Sequence, residues 1–250
     1  HSWDQPGEGD PHARLIELRD ACMGHAGLFT SRGLYEPPRD DLSMVAELFD
    51  LRRLQVEDAA NPEQRPKFEI DDHGHGLALV KVLDYRDSTS DVLTGQLAVF
   101  IGPWYVVTVR YGQIGDLSGI RERLDASPEL RSIGPAGVLY AIMDMVVDGY
   151  LIISDEVAAD VENLESRVFA QERISGNANS IYRLKRENIE MRRAISPLVP
   201  WAHDAVDERL EWVPDALRVY FPYLFNDQCG LITAPQGVTI YSRTATGVKY

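Results

Sequence analysis

A chain of 250 residues, 44% hydrophobic and 26% charged, has the composition of a folded globular protein and the length for one large domain or two smaller ones. Its net charge of −14, from 25 basic and 39 acidic side chains, argues against nucleic acid as the main partner, because phosphate binding needs a cationic face. The same excess suits attraction of cations. Cys22 and Cys229 are far apart and form no CxxC pair, so a reducing compartment is the default. No run reaches the roughly 18 consecutive apolar residues of a membrane span. The longest candidate, Val138 to Val147, contains Asp144. The amino terminus lacks the order of a signal peptide, and a soluble chain is expected.

Residues 1–12, rich in Gly, Pro and charge, predict a loose arm. Ala13 to Leu28 has weakly helical apolar spacing. Gly33-Leu34-Tyr35-Glu36 reads as a strand end passing into a turn at Pro37-Pro38. Asp40 or Asp41 is expected to cap a helix whose apolar face is Leu42, Val45, Leu48 and Phe49. A second short helix, Leu51 to Ala59, closes on the acidic pair Glu57-Asp58. Pro62 and Pro66 fix φ and push Asn61 and Arg65 toward extended geometry. The carboxylates should therefore lie at a helix end, beside a stiff connector that feeds a strand.

Leu77 to Tyr85, Gly95 to Ile101 and Trp104 to Arg110 read as strands, the last two joined as a hairpin by Gly102-Pro103. Ile120 to Leu124 predicts a helix, and Gly134-Pro135 introduces another, Ala136 to Val147. Tyr150, Ile153, Val157, Val161, Leu164 and Val168 then recur at steps of 3, 4, 4, 3 and 4, the stripe of a long helix. Ile174 to Asn177 breaks the run. Ser180 is expected to cap a second long helix that keeps its period through Ile181, Leu184, Met191 and Ile195, is interrupted at Asn188 and ends at Pro197. Two such helices make an antiparallel hairpin suited to packing on like subunits. Trp212 to Phe221 predicts helix, and Val238 and Ile240, with Ser242, a short strand. The expected fold class is α+β, with the first 135 residues in an α/β/α layered arrangement.

Candidate sites are few. Asp71-Asp72-His73-Gly74-His75 has metal-like residue types, but a structural zinc site needs four ligands and no second pair is evident, so a turn into a strand is the expected role. Asp144 and Asp148, four apart, share one helix face about 6 Å apart at Cβ. They either meet a hard cation or its hydration shell, or form the solvent stripe of an amphipathic helix. Two like charges in apolar surroundings are destabilising unless a cation or base is near. No G-x-S-x-G, H-E-x-x-H, P-loop or Rossmann glycine pattern occurs, so an enzyme is not expected. Cys22 and His25 are expected to be an ordinary buried thiol and its neighbour. The basic band Arg183, Lys185, Arg186, Arg192 and Arg193 is expected to pair with Glu156 to Glu165 across the hairpin.

Several stretches, in order, resemble the CorA family of divalent-cation transporters. They are Gly33-Leu34-Tyr35-Glu36-Pro37, the acidic-to-basic stretch Val56 to Lys67, and the strand Val106 to Arg110. Val138 to Tyr150 follows, then Ile181 to Glu187 with Arg192-Arg193 and Pro197-Leu198. The resemblance covers about residues 33–221. It implies an α/β/α cytoplasmic domain over residues 1–135, a helical hairpin and the start of a stalk over 136–221, and a divergent tail over 222–250. It further implies a homopentamer at the cytoplasmic face of the cell membrane. The family moves Mg2+, and often Co2+ or Ni2+, through a central pore, and its cytoplasmic part senses Mg2+ between neighbouring protomers. Glu57 and Asp58 match the family's acidic pair at that interface, and Asp144 and Asp148 match acidic positions that contribute to nearby sites. After Tyr220-Phe221 the family usually continues with an arginine and an aspartate facing the neighbour's acidic pair. Here Tyr223 takes the place of that aspartate, and Asp227 is the nearby substitute. The family's membrane helices and G-M-N motif do not occur in these 250 residues, so contact with the membrane is expected only through segments outside them. The function implied is Mg2+ sensing that gates a transporter. The alternative is a soluble interaction or oligomerisation module of the same fold without metal sensing.

Overall fold

The β-branched and apolar run from Gly76 to Tyr111 folds into three strands that carry the molecule's core. In the computed structural model, residues 11–25, 27–86, 89, 91–112, 118–169, 177–198, 200, 213–218, 231–234 and 237–240 are described. In chain order the elements are α1 (Pro11–Gly24), β1 (Thr30–Tyr35), α2 (Arg39–Leu48), α3 (Arg53–Ala59), β2 (Lys67–Ile70), β3 (Gly76–Arg86), β4 (Asp91–Ile101) and β5 (Tyr105–Tyr111). They continue with α4 (Ser118–Ala126), α5 (Pro128–Ser132), α6 (Pro135–Phe169), α7 (Asn177–Ile195), α8 (Asp215–Arg218), β6 (Leu231–Ala234) and β7 (Gly237–Ile240).

Strands β1 to β5 form one sheet in the order β1-β5-β4-β3-β2. Pairing is antiparallel except for β1, which runs parallel to β5 with Thr30 opposite Tyr105. Side chains alternate across a strand, so a sheet covered on both faces needs apolar residues at successive positions. Leu97, Val99 and Ile101 of β4 join Ala78, Val80 and Val106 beneath α6, while Ala98 and Phe100 join Leu77, Tyr105, Val107 and Val109 beneath α2 and α3. The result is an α/β/α layered fold of the α+β class. Gly102 closes the β4–β5 hairpin because a Cβ there would lie 2.5 Å from the Tyr105 ring.

Leu42, Val45, Leu48 and Phe49 are all buried, as their spacing predicts, and Phe49 stacks on Trp104 with ring centroids 5.5 Å apart. Four local expectations are corrected. Pro11 and His12 belong to α1, so the arm does not extend to residue 12. Pro38, not an aspartate, is the N-cap of α2; Asp40 and Asp41 sit in its first turn, where the helix dipole favours negative charge. α7 begins at Asn177 and runs unbroken through Asn188, so Ser180 does not cap it. The segments 136–147 and 150–168 are parts of one 35-residue helix, because Gly149 alone is too weak a breaker to end a helix held on both sides by buried residues. Within Trp212 to Phe221 the described helix spans Asp215–Arg218. Val238 and Ile240 lie in β7, paired with β6, and Ser242 lies outside the described residues.

α6 has the length and apolar content of a membrane-crossing helix, but most of that surface is buried inside the fold. Tyr85 of β3 donates its hydroxyl to Asp160 of α6 at 2.6 Å, and the Tyr150 hydroxyl bonds the Lys81 carbonyl. Glu187 of α7, 2% exposed, accepts the Val92 amide at 2.8 Å, and Arg186 beside it pairs with Asp91. Arg193 pairs with Glu190 of its own helix, so among the described residues the basic band of α7 pairs with the sheet and with α7 itself, and the expected pairing with Glu156 to Glu165 is corrected.

α5 crosses the start of α6 so closely that a Cβ on Gly137 would fall 1.9 Å from the Leu130 carbonyl oxygen. Gly137→Ala is therefore expected to lower stability by about 1–3 kcal/mol, despite alanine's helix propensity. A thermal unfolding midpoint at or above that of the unsubstituted chain would contradict this approach.

Candidate metal site

Helix α3 is short, and its own burial is limited to Gln55 and Ala59; Leu54 is 74% exposed. The sheet holds it instead. Gln96 of β4 donates to the Ala59 carbonyl at 3.1 Å, and Lys81 of β3 donates to the Pro62 carbonyl at 2.7 Å and to Gln96 Oε1 at 2.9 Å. The bond to Ala59 satisfies a carbonyl that the helix end leaves without a partner, and the bond to Pro62 fixes the turn that follows. Burial pushes the Lys81 ammonium pKa down, partly offset by Glu63. The chain then turns at Asn61, whose side chain accepts the Glu63 amide at 3.1 Å, and passes buried Pro66 into β2. The stiff connector expected from the two prolines is present.

Adjacent residues on a helix face different ways, and the acidic pair diverges accordingly. Glu57 lies outward and accepts Arg53 Nε at 2.9 Å. Asp58 turns toward β2, accepting Gln64 Nε2 at 2.5 Å and Lys67 Nζ at 2.5 Å. The same Lys67 ammonium lies 2.5 Å from Glu69 Oε1. Burial works against the Lys67 charge, but its hydrogen bonds to Asp58 and Glu69 outweigh that cost and its pKa is raised. One point charge is thus held between two carboxylates.

A second acidic pair has a different counter-ion. Asp144 and Asp148, one turn apart on α6, are bridged by Arg123 of α4, whose two terminal nitrogens reach one carboxylate each, with Asp148 at 2.9 Å. This is the nearby base that two carboxylates on an apolar helix require. Burial raises the Asp144 pKa and Asp148 adds to the rise, against the opposing pull of Arg123. Neither Lys67 nor Arg123 was marked as a partner by sequence spacing, since each reaches its acids through the tertiary fold.

The remaining candidates have structural roles here. Asp71 accepts the His73 and His75 amides at 2.8 Å each, Gly74 has φ +76°, and Arg52 pairs with Asp71 and Asp72, which together build the β2–β3 turn. Cys22 is a buried free thiol with its pKa raised by burial. Asp227, Tyr223 and the Tyr220-Phe221 step lie outside the described residues. Among the described residues no group of three or more His, Cys, Asp or Glu side chains converges as a complete metal site. The donor chemistry nonetheless fits a hard cation. Asp58 offers carboxylate oxygens, with Glu57 outward beside it, and an ammonium already stands between Asp58 and Glu69. Mg2+ keeps several waters and needs few protein carboxylates, so water or a second copy of the chain would complete the shell.

Removing Arg123 leaves the α6 pair uncompensated. Arg123→Met is expected to cost about 1–2 kcal/mol, limited by the exposure of the groups involved. The folded-state pKa of Asp144 already lies above its unfolded value, so its stabilising contribution is present at low pH and lost as pH rises through the folded pKa. Loss of Arg123 raises that pKa further. The variant should therefore recover stability relative to the unsubstituted chain as pH falls from neutral, and a pH-independent difference in unfolding midpoints would refute the pairing.

Comparison with known proteins fits this architecture. The model of the family described as CorA-like Mg2+ transporter protein matches residues 33–233. YfjQ of Bacillus subtilis is 27% identical over 165 residues, covering 66% of this chain and 50% of that protein. The cobalt/magnesium transport protein CorA of Thermotoga maritima is 26% identical over 161 residues, covering 64% of this chain and 45% of its own length. The chain thus spans about half the length of these curated relatives. Among solved structures, the soluble domain of CorA from Methanocaldococcus jannaschii superposes with a TM-score of 0.64 at 17% identity, covering 78% of this chain and 77% of that one. That likeness is one of fold. These relatives belong to a family of metal ion transporters rather than enzymes, and with four-fifths of its residues inside the family match, the chain belongs to the CorA-like Mg2+ transporter protein family.

Proposed function

We propose that this chain is the cytoplasmic, Mg2+-sensing regulatory part of a CorA-like divalent metal ion transporter, in which metal bound between protomers of a homo-oligomer, a pentamer, holds the assembly in its non-conducting state. The observation that carries this reading is the Asp58–Lys67–Glu69 arrangement, where two carboxylates grip one cation at 2.5 Å each on the surface of a family-matched fold. Glu57, outward on the same helix end, is available to a neighbouring protomer, and Asp144, Asp148 and Asp227 are the further acidic candidates. The printed name of the Thermotoga relative supports Mg2+ and Co2+ as the ions of interest, and Ni2+ has the same preference for a small set of oxygen and nitrogen ligands. Bound metal would screen carboxylate repulsion between protomers. Its loss would loosen their contact, by an amount set by the difference in metal affinity between the two states.

A second reading is favoured by one specific observation. Both acidic pairs already hold a base from their own chain, Lys67 and Arg123, and a domain whose carboxylates are permanently neutralised would be an interaction module that assembles without metal.

Thermal unfolding and sedimentation with and without Mg2+ separate the two. The sensing reading expects Mg2+ to raise the midpoint or to promote oligomers, and expects Glu57→Ala with Asp58→Ala to abolish that response. Identical midpoints and identical sedimentation at every Mg2+ concentration would leave the interaction module as the function.

A further inference from the structure

Lys67 stands at the head of β2, which among the described residues is an edge strand paired with β3. Its ammonium is equidistant from Asp58 Oδ2 and Glu69 Oε1, and its stem is largely covered, with a quarter of the side chain exposed. Three other bases of this corner are engaged elsewhere: Lys81 on the Pro62 carbonyl and Gln96, Arg52 on Asp71 and Asp72, Arg53 on Glu57. Lys67 is therefore the base held by both Asp58 and Glu69.

We propose that Lys67 is a built-in competitor for the divalent cation at Asp58, and that its exchange between Asp58 and Glu69 sets the metal concentration at which the domain responds. This rests on the metal-sensing reading above. A hydrated divalent ion and an ammonium cannot share one carboxylate oxygen without strong repulsion between them. Metal at Asp58 must therefore displace Lys67. The displacement is inexpensive because the lysine stem is flexible and its charge is a point rather than a planar fork, so it can slide onto Glu69 and remain paired. Gln64 stays on Asp58 throughout, holding the carboxylate in place for the incoming ion. The corner thus exchanges one cation for another while its fold stays unchanged.

The test uses Mg2+ alone as the probe, with calorimetric titration and thermal unfolding of the 250-residue chain. Lys67→Met keeps the apolar stem and removes the charge. Half-saturation is expected at a Mg2+ concentration roughly twofold to fivefold lower than in the unsubstituted chain, the scale of a partly exposed ion pair. Without metal the variant should unfold at a lower temperature, and saturating Mg2+ should close that gap. Glu69→Gln removes the second anchor and is expected to move half-saturation the other way, to higher Mg2+. If Lys67→Met fails to fold, this opposite shift still decides the matter. Equal half-saturation in a responding parent chain and both variants would overturn the competitor while leaving metal sensing intact. Absence of any Mg2+ response in all three chains would overturn both.

Discussion

The constraint on which the structure depends is burial of the central strands on both faces. From Gly95 to Ile101, β4 has no exposed residue, and its neighbours β3 and β5 are nearly as enclosed. Such strands must be apolar at successive positions, and any polar atom among them must find a partner. Gln96 and Lys81 are the polar side chains admitted on these strands near α3, and both spend their hydrogen bonds on the end of that helix and the turn that follows. A seven-residue helix has little stability of its own. The acidic corner is therefore positioned by the sheet, through two side chains whose alternative would be unpaired burial.

The same economy governs charge. The chain carries a large acidic excess, yet Asp58, Asp144 and Asp148 are each neutralised locally by a base from another element. The two solutions differ in kind. Arg123 presents a planar fork to two carboxylates one helical turn apart and ties α4 to α6, a geometry that a monatomic ion cannot reproduce without losing that tie. Lys67 presents a point charge between carboxylates on α3 and β2. A point charge is what a hydrated divalent ion resembles. Of the two, the corner at Asp58 is the one a hydrated divalent ion would enter under the proposed function, and the Asp144–Asp148 pair with Arg123 is a clasp between helices.

Much of the fold was legible because its signals are local. Gly102-Pro103 marks the hairpin, the spacing of Leu42, Val45, Leu48 and Phe49 marks the buried face of α2, and the period through Tyr150, Ile153, Val157 and Leu164 marks α6, with Val161 of the same period exposed. Errors arose where a local signal was overridden. Gly149 and Asn188 are poor helix residues, but each lies in a helix whose buried face continues on both sides, so packing prevailed over propensity. Asp40 and Asp41 had the right chemistry for a cap, two and three positions too late. The site was legible by half. Its acids could be found because they sit in a quotable motif and on one helix face. Their counter-ions could not, because Lys67 meets Asp58 and Arg123 meets Asp144 only after the chain has folded, across separations no helical period encodes.

These observations together limit what a bound cation can do. Asp58 is held by Gln64 as well as Lys67, and the carbonyls at the end of α3 and in the turn that follows are held by Gln96 and Lys81, so replacing one cation by another leaves α3 anchored. No refolding of the layered core is required. What changes is the charge presented at the surface beside Glu57 and Leu54, three residues apart on the outward side of the same helix. A response confined to that surface has no consequence in an isolated chain beyond a shift in stability. It becomes a signal only where another copy packs against it, because the free energy of exchange is then shared between the ion and the contact. Under the proposed function, coupling between metal and assembly would follow from how the corner is built, with a strength set by the difference between what a divalent ion and a lysine contribute at Asp58.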